Sequence, residues 1–90
     1  MLKVNTSARF RKDLKACVRR DLDIQLLEAV VNTLRAPAPL AVKNKDHPLS
    51  GNWAGCRECH ILPDWLLIYR LSSEELYLVR TGTHADLLGE

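Results

Sequence analysis

The spacing of apolar residues predicts two helices in the first half of the chain. Residues 2–6 alternate as in a short strand, and Ser7 can then cap the first helix. The apolar stripe of that helix consists of Phe10, Leu14, Cys17 and Val18. A second stripe at helical spacing consists of Leu27, Val30, Val31 and Leu34. The proline-containing sequence at 36–39 ends this second segment, so the pattern predicts an αα-hairpin in which each helix buries one side.

The second half of the chain is predicted to form a long polar loop followed by three strands. The loop covers residues 40–55, and the strand-like runs are 56–62, 65–71 and 76–81. The short connections between these runs favour hairpins. Residues 65–71 are apolar at nearly every position, which indicates a central strand. The last nine residues form a turn or a short helix.

This element order predicts an α+β fold of the type β-α-α-β-β-β, followed by the short C-terminal turn or helix. We expect an antiparallel sheet with the N-terminal helical hairpin packed on one face and the other face left to water or a ligand. The chain has 90 residues, 47% of them hydrophobic and 27% charged. It is therefore expected to be one globular domain spanning residues 1–90, with a single core.

Charge is distributed unevenly along the chain. Residues 1–20 carry seven basic side chains and one acidic side chain, whereas the whole chain has a net charge of only +2. Such a bias favours contact with a polyanion or an acidic partner, although a solvated basic helix face is common. The chain has no run of roughly 20 apolar residues and no signal-peptide pattern, so we expect a cytoplasmic protein without membrane contact.

Residues 56–60 read CRECH, the Cys-x-x-Cys-His pattern of c-type haem attachment. Three cysteines in a reducing compartment argue against disulfides, and c-type haem is attached after export. Residues three apart on a strand also point to opposite faces, so Cys56 and Cys59 should diverge. A zinc site remains an alternative, with ligands drawn from Cys56, Cys59 and His60 and a fourth from His47, His84 or Cys17.

All three histidines lie outside the predicted helices. His47 is in the long loop, His60 shares a strand face with Glu58, and His84 is in the C-terminal turn. Asp64 follows in the turn after the strand that carries His60. If the fold brings these groups together on the open face, they form a candidate acid–base site.

Such a cluster could cleave RNA without a metal. The reaction requires a base for the ribose 2′-hydroxyl, an acid for the departing 5′-oxygen and cations near the phosphorane. Histidine can take either proton role near neutral pH. Lys45, Arg57 and Arg80 are candidate cations. Trp65 and Trp53 are candidate platforms for base stacking, although a Trp that opens an apolar strand is typically a core residue.

Two long stretches of the sequence resemble a known family. They are KDHPLSGNWAGCRECHILPDWLLIYRL at 45–71 and VRTGTHADLLG at 79–89, and FRKDLK at 10–15 fits more loosely. These sequences resemble YafQ-like toxins, a branch of the RelE/ParE superfamily of bacterial toxin–antitoxin systems. The resemblance implies a small RelE-like domain. It also implies a ribonuclease that enters the ribosomal A site and cuts mRNA without metal or cofactor, and that a cognate antitoxin neutralises.

The resemblance also implies roles for individual residues. The catalytic positions are His47, His60, Asp64 and His84. Among them, His84 corresponds to the proton donor for the leaving group and the other three take base or orienting roles. The substrate-binding candidates are Lys45, Asp46, Arg57, Glu58, Trp65, Arg80 and Leu88. The basic helix would contact ribosomal RNA through Arg11, Lys12, Lys15 and Arg19.

Two positions depart from the family pattern. Cys56 stands where the family usually has Tyr, so the CRECH sequence is expected to be incidental, with His60 as its functional residue. Leu88 stands where an aromatic residue is common, which would weaken substrate positioning there.

Two other functions remain open at the level of sequence. A ParE-like toxin would inhibit DNA gyrase by binding alone, and a small zinc-binding module would act through protein contacts. A gyrase binder has no need for three histidines and an aspartate around one sheet face, so this set favours the nuclease over it. Metal analysis of the purified protein would test the zinc-binding module.

Overall fold

The two N-terminal helices form where the apolar stripes predict them. The computed structural model describes residues 1–89. Strand β1 (Lys3–Thr6) leads into helix α1 (Ala8–Arg19), and helix α2 (Ile24–Arg35) follows. The Ser7 hydroxyl caps α1 by accepting the backbone N–H of Phe10 at 2.8 Å. Asp23 caps α2 by accepting the N–H of Gln25.

The remaining elements form most of the sheet. After a 3-10 turn at Val42–Asn44 come the two-residue strand β2 (His47–Pro48) and a second 3-10 turn at Gly51–Trp53. Strands β3 (Arg57–Leu62), β4 (Trp65–Leu71) and β5 (Glu75–Gly82) are joined by tight turns, and helix α3 (His84–Leu88) ends the described chain. The prediction of three strands joined as hairpins is confirmed. Strand β2 was not predicted.

The sheet is mixed rather than antiparallel. Its order is β1-β5-β4-β3-β2, and β1 pairs in parallel with β5 while the other pairs are antiparallel. The prediction of a purely antiparallel sheet is therefore wrong for one edge. The parallel pair joins residues about 70 positions apart, such as Asn5 and Tyr77, and no local turn signal reports a pairing of that kind.

Helices α1 and α2 cover one face of the sheet and form the main core with it. Its buried helical members are Phe10, Cys17, Leu27, Val30 and Leu34, and its central strand members include Trp65, Leu67 and Tyr69. Burial of each such side chain stabilises the fold by roughly 1.5–3 kcal/mol. Val18, a member of the predicted α1 stripe, is exposed instead, because it lies at the rim of the contact.

The opposite face of the sheet is only partly open. Leu66 and Ile68 of β4 are fully buried there with Cys56 and Leu87, and Leu49 and Trp53 of the long loop pack on them. The expectation of a face left to water or ligand is therefore wrong for its centre. Its rim, where β2, β3 and α3 meet, carries the histidines. Within residues 1–89 no helix has the length and apolar character needed to cross a bilayer.

Candidate active site

Strands β2 and β3 bring two histidines to the same carboxylate. The strand register places His47 opposite Glu58, and His60 follows two residues later on the same face of β3. The Oε1 atom of Glu58 lies 3.3 Å from His47 Nε2 and 3.7 Å from His60 Nε2. The predicted sharing of a strand face by Glu58 and His60 is thus confirmed. The three side chains form one cluster.

Glu58 is an unusual residue for a strand, because its carboxylate is almost fully buried. Its side chain is 5% exposed, and its second oxygen, Oε2, has no hydrogen-bond partner among the described residues. A buried carboxylate is unfavourable unless cationic or donor groups face it. His47 Nε2 lies within hydrogen-bonding distance of Glu58 and His60 Nε2 lies slightly farther away, so both rings face the carboxylate.

The His47 ring lies between two acceptors. Its Nδ1 is 3.1 Å from the carbonyl oxygen of Pro48, and its Nε2 faces Glu58. A carbonyl and a carboxylate can only accept hydrogen bonds, so a ring protonated on both nitrogens satisfies both neighbours.

Helix α3 and the β3–β4 turn position a second pair. His84 is the first residue of α3, and Asp64 Oδ1 accepts both its backbone N–H at 3.0 Å and its ring Nδ1–H at 2.6 Å. These two hydrogen bonds, the backbone bond first, lower the pKa of Asp64. Since an ionised carboxylate only accepts, Nδ1 carries the proton and Nε2 is left for a substrate.

The His47–Glu58–His60 cluster meets the Asp64–His84 pair at two imidazole rings. The rings of His60 and His84 are 5.5 Å apart between centroids and cross at 65°. The predicted convergence of these acid–base groups is therefore confirmed, because they form a continuous series in space: His47, Glu58, His60, His84 and Asp64. A bulge at Ile61, immediately after His60, shifts the β3–β4 register here, and bulges of this kind often re-aim side chains next to functional sites.

Asp46 and Arg57 brace the long loop against the sheet. Asp46 Oδ1 accepts hydrogen bonds from Tyr69 Oη and from Arg57 Nε, the latter at 3.3 Å. Burial, followed by the hydrogen bond to Asp46, raises the pKa of Tyr69 above its ordinary value. Arg57 pairs with Tyr69 across β3 and β4, on the helix-covered face. A substrate contact for Asp46 or Arg57 stays a prediction.

Arg80 and Trp65 are engaged within the fold. Arg80 makes a two-point ion pair with Asp13 of α1, with Nε–Oδ2 at 2.8 Å and Nη2–Oδ1 at 3.0 Å. Trp65 is 2% exposed, and its indole N–H donates to Thr81 Oγ1 at 2.9 Å. Base stacking by Trp65 is therefore wrong as a prediction, because both ring faces pack in the core. Leu88, in contrast, is 37% exposed at the end of α3.

The cysteines of CRECH point away from each other. Cys59 is buried in the main core under the helices, whereas Cys56 belongs to the cluster on the opposite face. Burial raises the pKa of the Cys59 thiol to about 12, so it stays protonated at neutral pH. The predicted divergence is confirmed. A metal set that needs both cysteines is excluded by this placement.

Residues 2–89 match the family described as "Bacterial toxin of type II toxin-antitoxin system, YafQ". The chain belongs to the YafQ family. The mRNA interferase toxin YafQ of Escherichia coli K12 is 41% identical over 87 residues, which cover 96% of this chain and 95% of that protein.

Solved structures of YafQ from E. coli and of a toxin from Helicobacter pylori share this fold. The crystal structure of YafQ from E. coli BL21(DE3) has a TM-score of 0.93 and 39% identity, with 99% of this chain and all of that chain covered. YafQ in the E. coli DinJ-YafQ toxin-antitoxin complex has a TM-score of 0.90 and 40% identity over 98% of both chains. A metal-bound toxin from Helicobacter pylori has a TM-score of 0.90 and 47% identity, covering 97% of this chain and 99% of that one.

Three positioning residues of this YafQ-family chain were missed from sequence. Asn44 is buried in the long loop and donates its side-chain N–H to the His60 carbonyl at 2.7 Å. Thr83 and Asp86 form a capping box at the start of α3. The Thr-x-x-Asp spacing was a readable signal for that box. Nothing in the local sequence of Asn44 identified its partner.

Proposed function

We propose that this YafQ-family toxin is an mRNA endonuclease of a type II toxin–antitoxin system. The observation that supports it most directly is the continuous cluster of three imidazoles and two carboxylates on one sheet rim. The relatives named as mRNA interferase toxins cover nearly the whole chain, so the activity is proposed for the complete domain. Its substrate is mRNA in the ribosomal A site, and a cognate antitoxin neutralises it.

The chemistry requires two proton transfers and charge stabilisation. The ribose 2′-hydroxyl attacks the adjacent phosphorus as a base removes its proton, and the 5′-oxygen leaves as an acid protonates it. The products are a 2′,3′-cyclic phosphate and a 5′-hydroxyl. Two imidazoles with opposite starting protonation states suffice for both transfers, and no metal enters either step.

We assign the leaving-group proton to His84. Its Nδ1–H is held by Asp64, so the proton that passes to the 5′-oxygen is a second one, carried on Nε2, and the ring is neutral after the transfer. The ring stands beside His60 at a centroid distance of 5.5 Å, so a phosphate between them could contact both. His60, which faces Glu58, is then placed to accept the 2′-hydroxyl proton, and His47 in its protonated form would offset the charge on the phosphorane.

The test is a translation reaction with a defined mRNA, with 5′ ends mapped by primer extension. Wild-type protein should create new ends only when ribosomes are present. His84→Ala should lower cleavage by at least about 100-fold while retaining antitoxin binding. Glu74→Ala, an exposed residue of the β4–β5 turn, is the matched control and should cleave normally. Intact mRNA with the wild-type protein, or equal cleavage by His84→Ala, would reject the proposal.

Metal binding at the same cluster is a second candidate property. Ligand atoms of His47, Glu58 and His60 all lie within 4.8 Å of one another, and two imidazoles with a carboxylate suit copper or zinc. One Helicobacter pylori relative is described as metal-bound, and an L66S mutant toxin from the same organism as copper-bound. A bound ion would occupy the nitrogen lone pairs that proton transfer requires, so we propose that it inhibits.

This second candidate is tested by titrating Cu²⁺ or Zn²⁺ into the cleavage reaction. Activity should fall as the ion binds and should return when a chelator is added. His47→Gln should weaken binding, measured by calorimetry, because it removes one imidazole ligand. Activity that rises with the ion would contradict the inhibitory role.

A further inference from the structure

Two lysines border the histidine cluster and take no part in the proton transfers proposed above. One cavity is lined by His60 together with Lys43, Lys45, Ile61, Leu62 and Pro63. Both lysines are exposed. The surface next to the reacting histidine therefore continues directly to two cationic side chains.

The lysines are carried on a turn that is anchored to His60. Asn44 lies between them in the chain, is buried, and donates to the His60 carbonyl at 2.7 Å. Lys45 ends the 3-10 turn with a left-handed backbone at φ +47°, a conformation that is uncommon for a residue other than glycine. The anchored turn and the bend at Lys45 hold both lysine backbones in a defined place relative to His60.

Neither lysine forms an ion pair within the described residues 1–89. Within residues 1–89, neither lysine has a carboxylate oxygen within 4.0 Å. By contrast, Arg57, Arg80 and Arg20 are each paired with an aspartate. The two lysines that line the His60 cavity are therefore unpaired, whereas these three arginines are already neutralised.

We propose that Lys43 and Lys45 form a subsite for the RNA phosphate adjacent to the scissile one. The inference rests on the proposed nuclease function and adds a second anchoring point for the substrate. A nuclease whose proton carriers must meet one particular phosphate gains from holding a neighbouring phosphate, because this fixes the register of the chain. Leu62, which lines the same cavity and is exposed, offers an apolar surface to the attached nucleoside.

An acidic segment of the antitoxin is the competing occupant. Two unpaired lysines would also attract carboxylates. RNA is favoured because the lysines share their cavity with His60, the proposed base. The two occupants are separated by measuring the affinity of the same variants for the antitoxin.

The experiment is a thermodynamic cycle on ribosomes programmed with mRNA that carries a 2′-O-methyl group at the cut site. This substitution blocks cleavage, so binding is measured alone. Single methylphosphonates, which remove the charge of one phosphate, are placed in turn at the linkages on either side. Wild-type protein is compared with Lys43→Gln/Lys45→Gln. Lys3→Gln is the control, since Lys3 is an exposed lysine of β1 at the opposite edge of the sheet.

The double variant should bind the all-phosphate mRNA roughly 10-fold more weakly than the wild type, as expected for two exposed charge contacts. At one of the two linkages, the methylphosphonate should weaken mRNA binding by the wild type by a similar factor. It should leave mRNA binding by the double variant unchanged. Lys3→Gln should behave as the wild type. If each methylphosphonate lowers the mRNA affinity of the wild type and of the double variant equally, the subsite is overturned. It is also overturned if the double variant loses affinity for the antitoxin alone.

This result is distinguishable from failure of the nuclease proposal. If wild-type protein cleaves unmodified mRNA but the cycle shows no coupling, only the subsite is wrong. If wild-type protein neither cleaves nor responds to any methylphosphonate, both proposals are rejected.

Discussion

His84 depends on a single neighbour for its chemical form. Asp64 accepts both its backbone N–H and its ring N–H, so the same carboxylate sets the start of α3 and the tautomer of the imidazole. Asp64 itself is mostly exposed, at 67% of its side chain. It contributes little to the core, and its position is explained by its effect on His84.

Asp64→Asn tests this dependence. A ring that donates from Nε2 while Nδ1–H is held carries protons on both nitrogens. The amide has no charge and can present its NH₂ group to Nδ1, so the doubly protonated ring loses its acceptor. Cleavage should fall by about 100-fold or more, within the range typical for loss of an oriented acid–base group. The measurement is the single-turnover cleavage rate on ribosomes, with circular dichroism to confirm folding. A rate within twofold of the wild type would show that Asp64 does not orient His84.

The other charged residues of the site differ in what holds them. Glu58 is buried and, within residues 1–89, faces only imidazoles as possible cations, whereas Arg80 is fixed by Asp13 of α1. A buried carboxylate is retained at a cost to stability. Its presence between His47 and His60 therefore supports a role in orienting these rings.

At the scale of elements, helix α3 is short and is held from two sides. The capping box of Thr83 and Asp86 closes its first turn, and Arg20 at the C-cap of α1 donates to Asp86 Oδ2 at 2.6 Å. A helix of five residues is not stable alone. The contact with Arg20 thus links the basic helix α1 to the helix that carries His84.

The Arg20–Asp86 contact predicts a pH dependence of stability. The hydrogen bonds from Arg20, and then the N–H of Thr83, lower the pKa of Asp86 to about 2, from 3.8. A carboxyl whose folded pKa lies below its unfolded pKa stabilises the fold above the unfolded value, and this contribution is lost as the pH falls towards 2. The lowered pKa of Asp64 acts in the same direction.

Arg20→Gln should therefore lower the urea midpoint at pH 6, and its difference from the wild type should shrink as the pH falls towards 2, where about half of the wild-type Asp86 carboxyl is protonated. Arg19→Gln, which removes the neighbouring exposed arginine, is the control and should change the midpoint little at either pH. A constant difference between Arg20→Gln and wild type across this range would show that the ion pair does not stabilise α3.

At the scale of the whole molecule, the sheet separates the basic helix α1 from the histidine cluster. The helical hairpin covers one face, and the histidine cluster lies on the rim of the other. The four cations proposed to contact the ribosome, Arg11, Lys12, Lys15 and Arg19, are all exposed on α1. A basic helix on one face and a catalytic rim on the other would allow the protein to hold ribosomal RNA while mRNA occupies the site.

The paired change Arg11→Glu/Lys15→Glu tests this division. Ribosome affinity should fall, and the slope of log affinity against log salt should decrease by about one for each phosphate that α1 no longer neutralises. Arg11 also donates to the carbonyl and the hydroxyl of Thr6. Arg11→Gln with Lys15→Gln is therefore included to separate charge reversal from the loss of those hydrogen bonds. Binding that is unchanged across salt concentrations would reject the ribosomal role of α1.

Much of this arrangement could be predicted from the sequence, because it depends on local rules. The helix cap at Ser7 and the stripes of α1 and α2 follow from hydrogen bonding and a period of 3.6 residues. The alternation of side-chain directions along a strand placed Cys56 and Cys59 on opposite faces and Glu58 on the same face as His60. The order of the family-like sequences then identified the four catalytic candidates by residue type.

Only the tertiary structure decided the contacts between segments that are distant in the chain. The parallel edge of β1 with β5, the Asn44 anchor on His60, and the contacts of Arg80 and Arg20 join groups that are 16 to 72 residues apart. Such contacts depend on the packing of whole elements, and no local propensity reports them. Burial likewise removed Trp65 from the candidate substrate contacts. The residue types of the site are thus written in the sequence, whereas their distances and partners exist only in the folded chain.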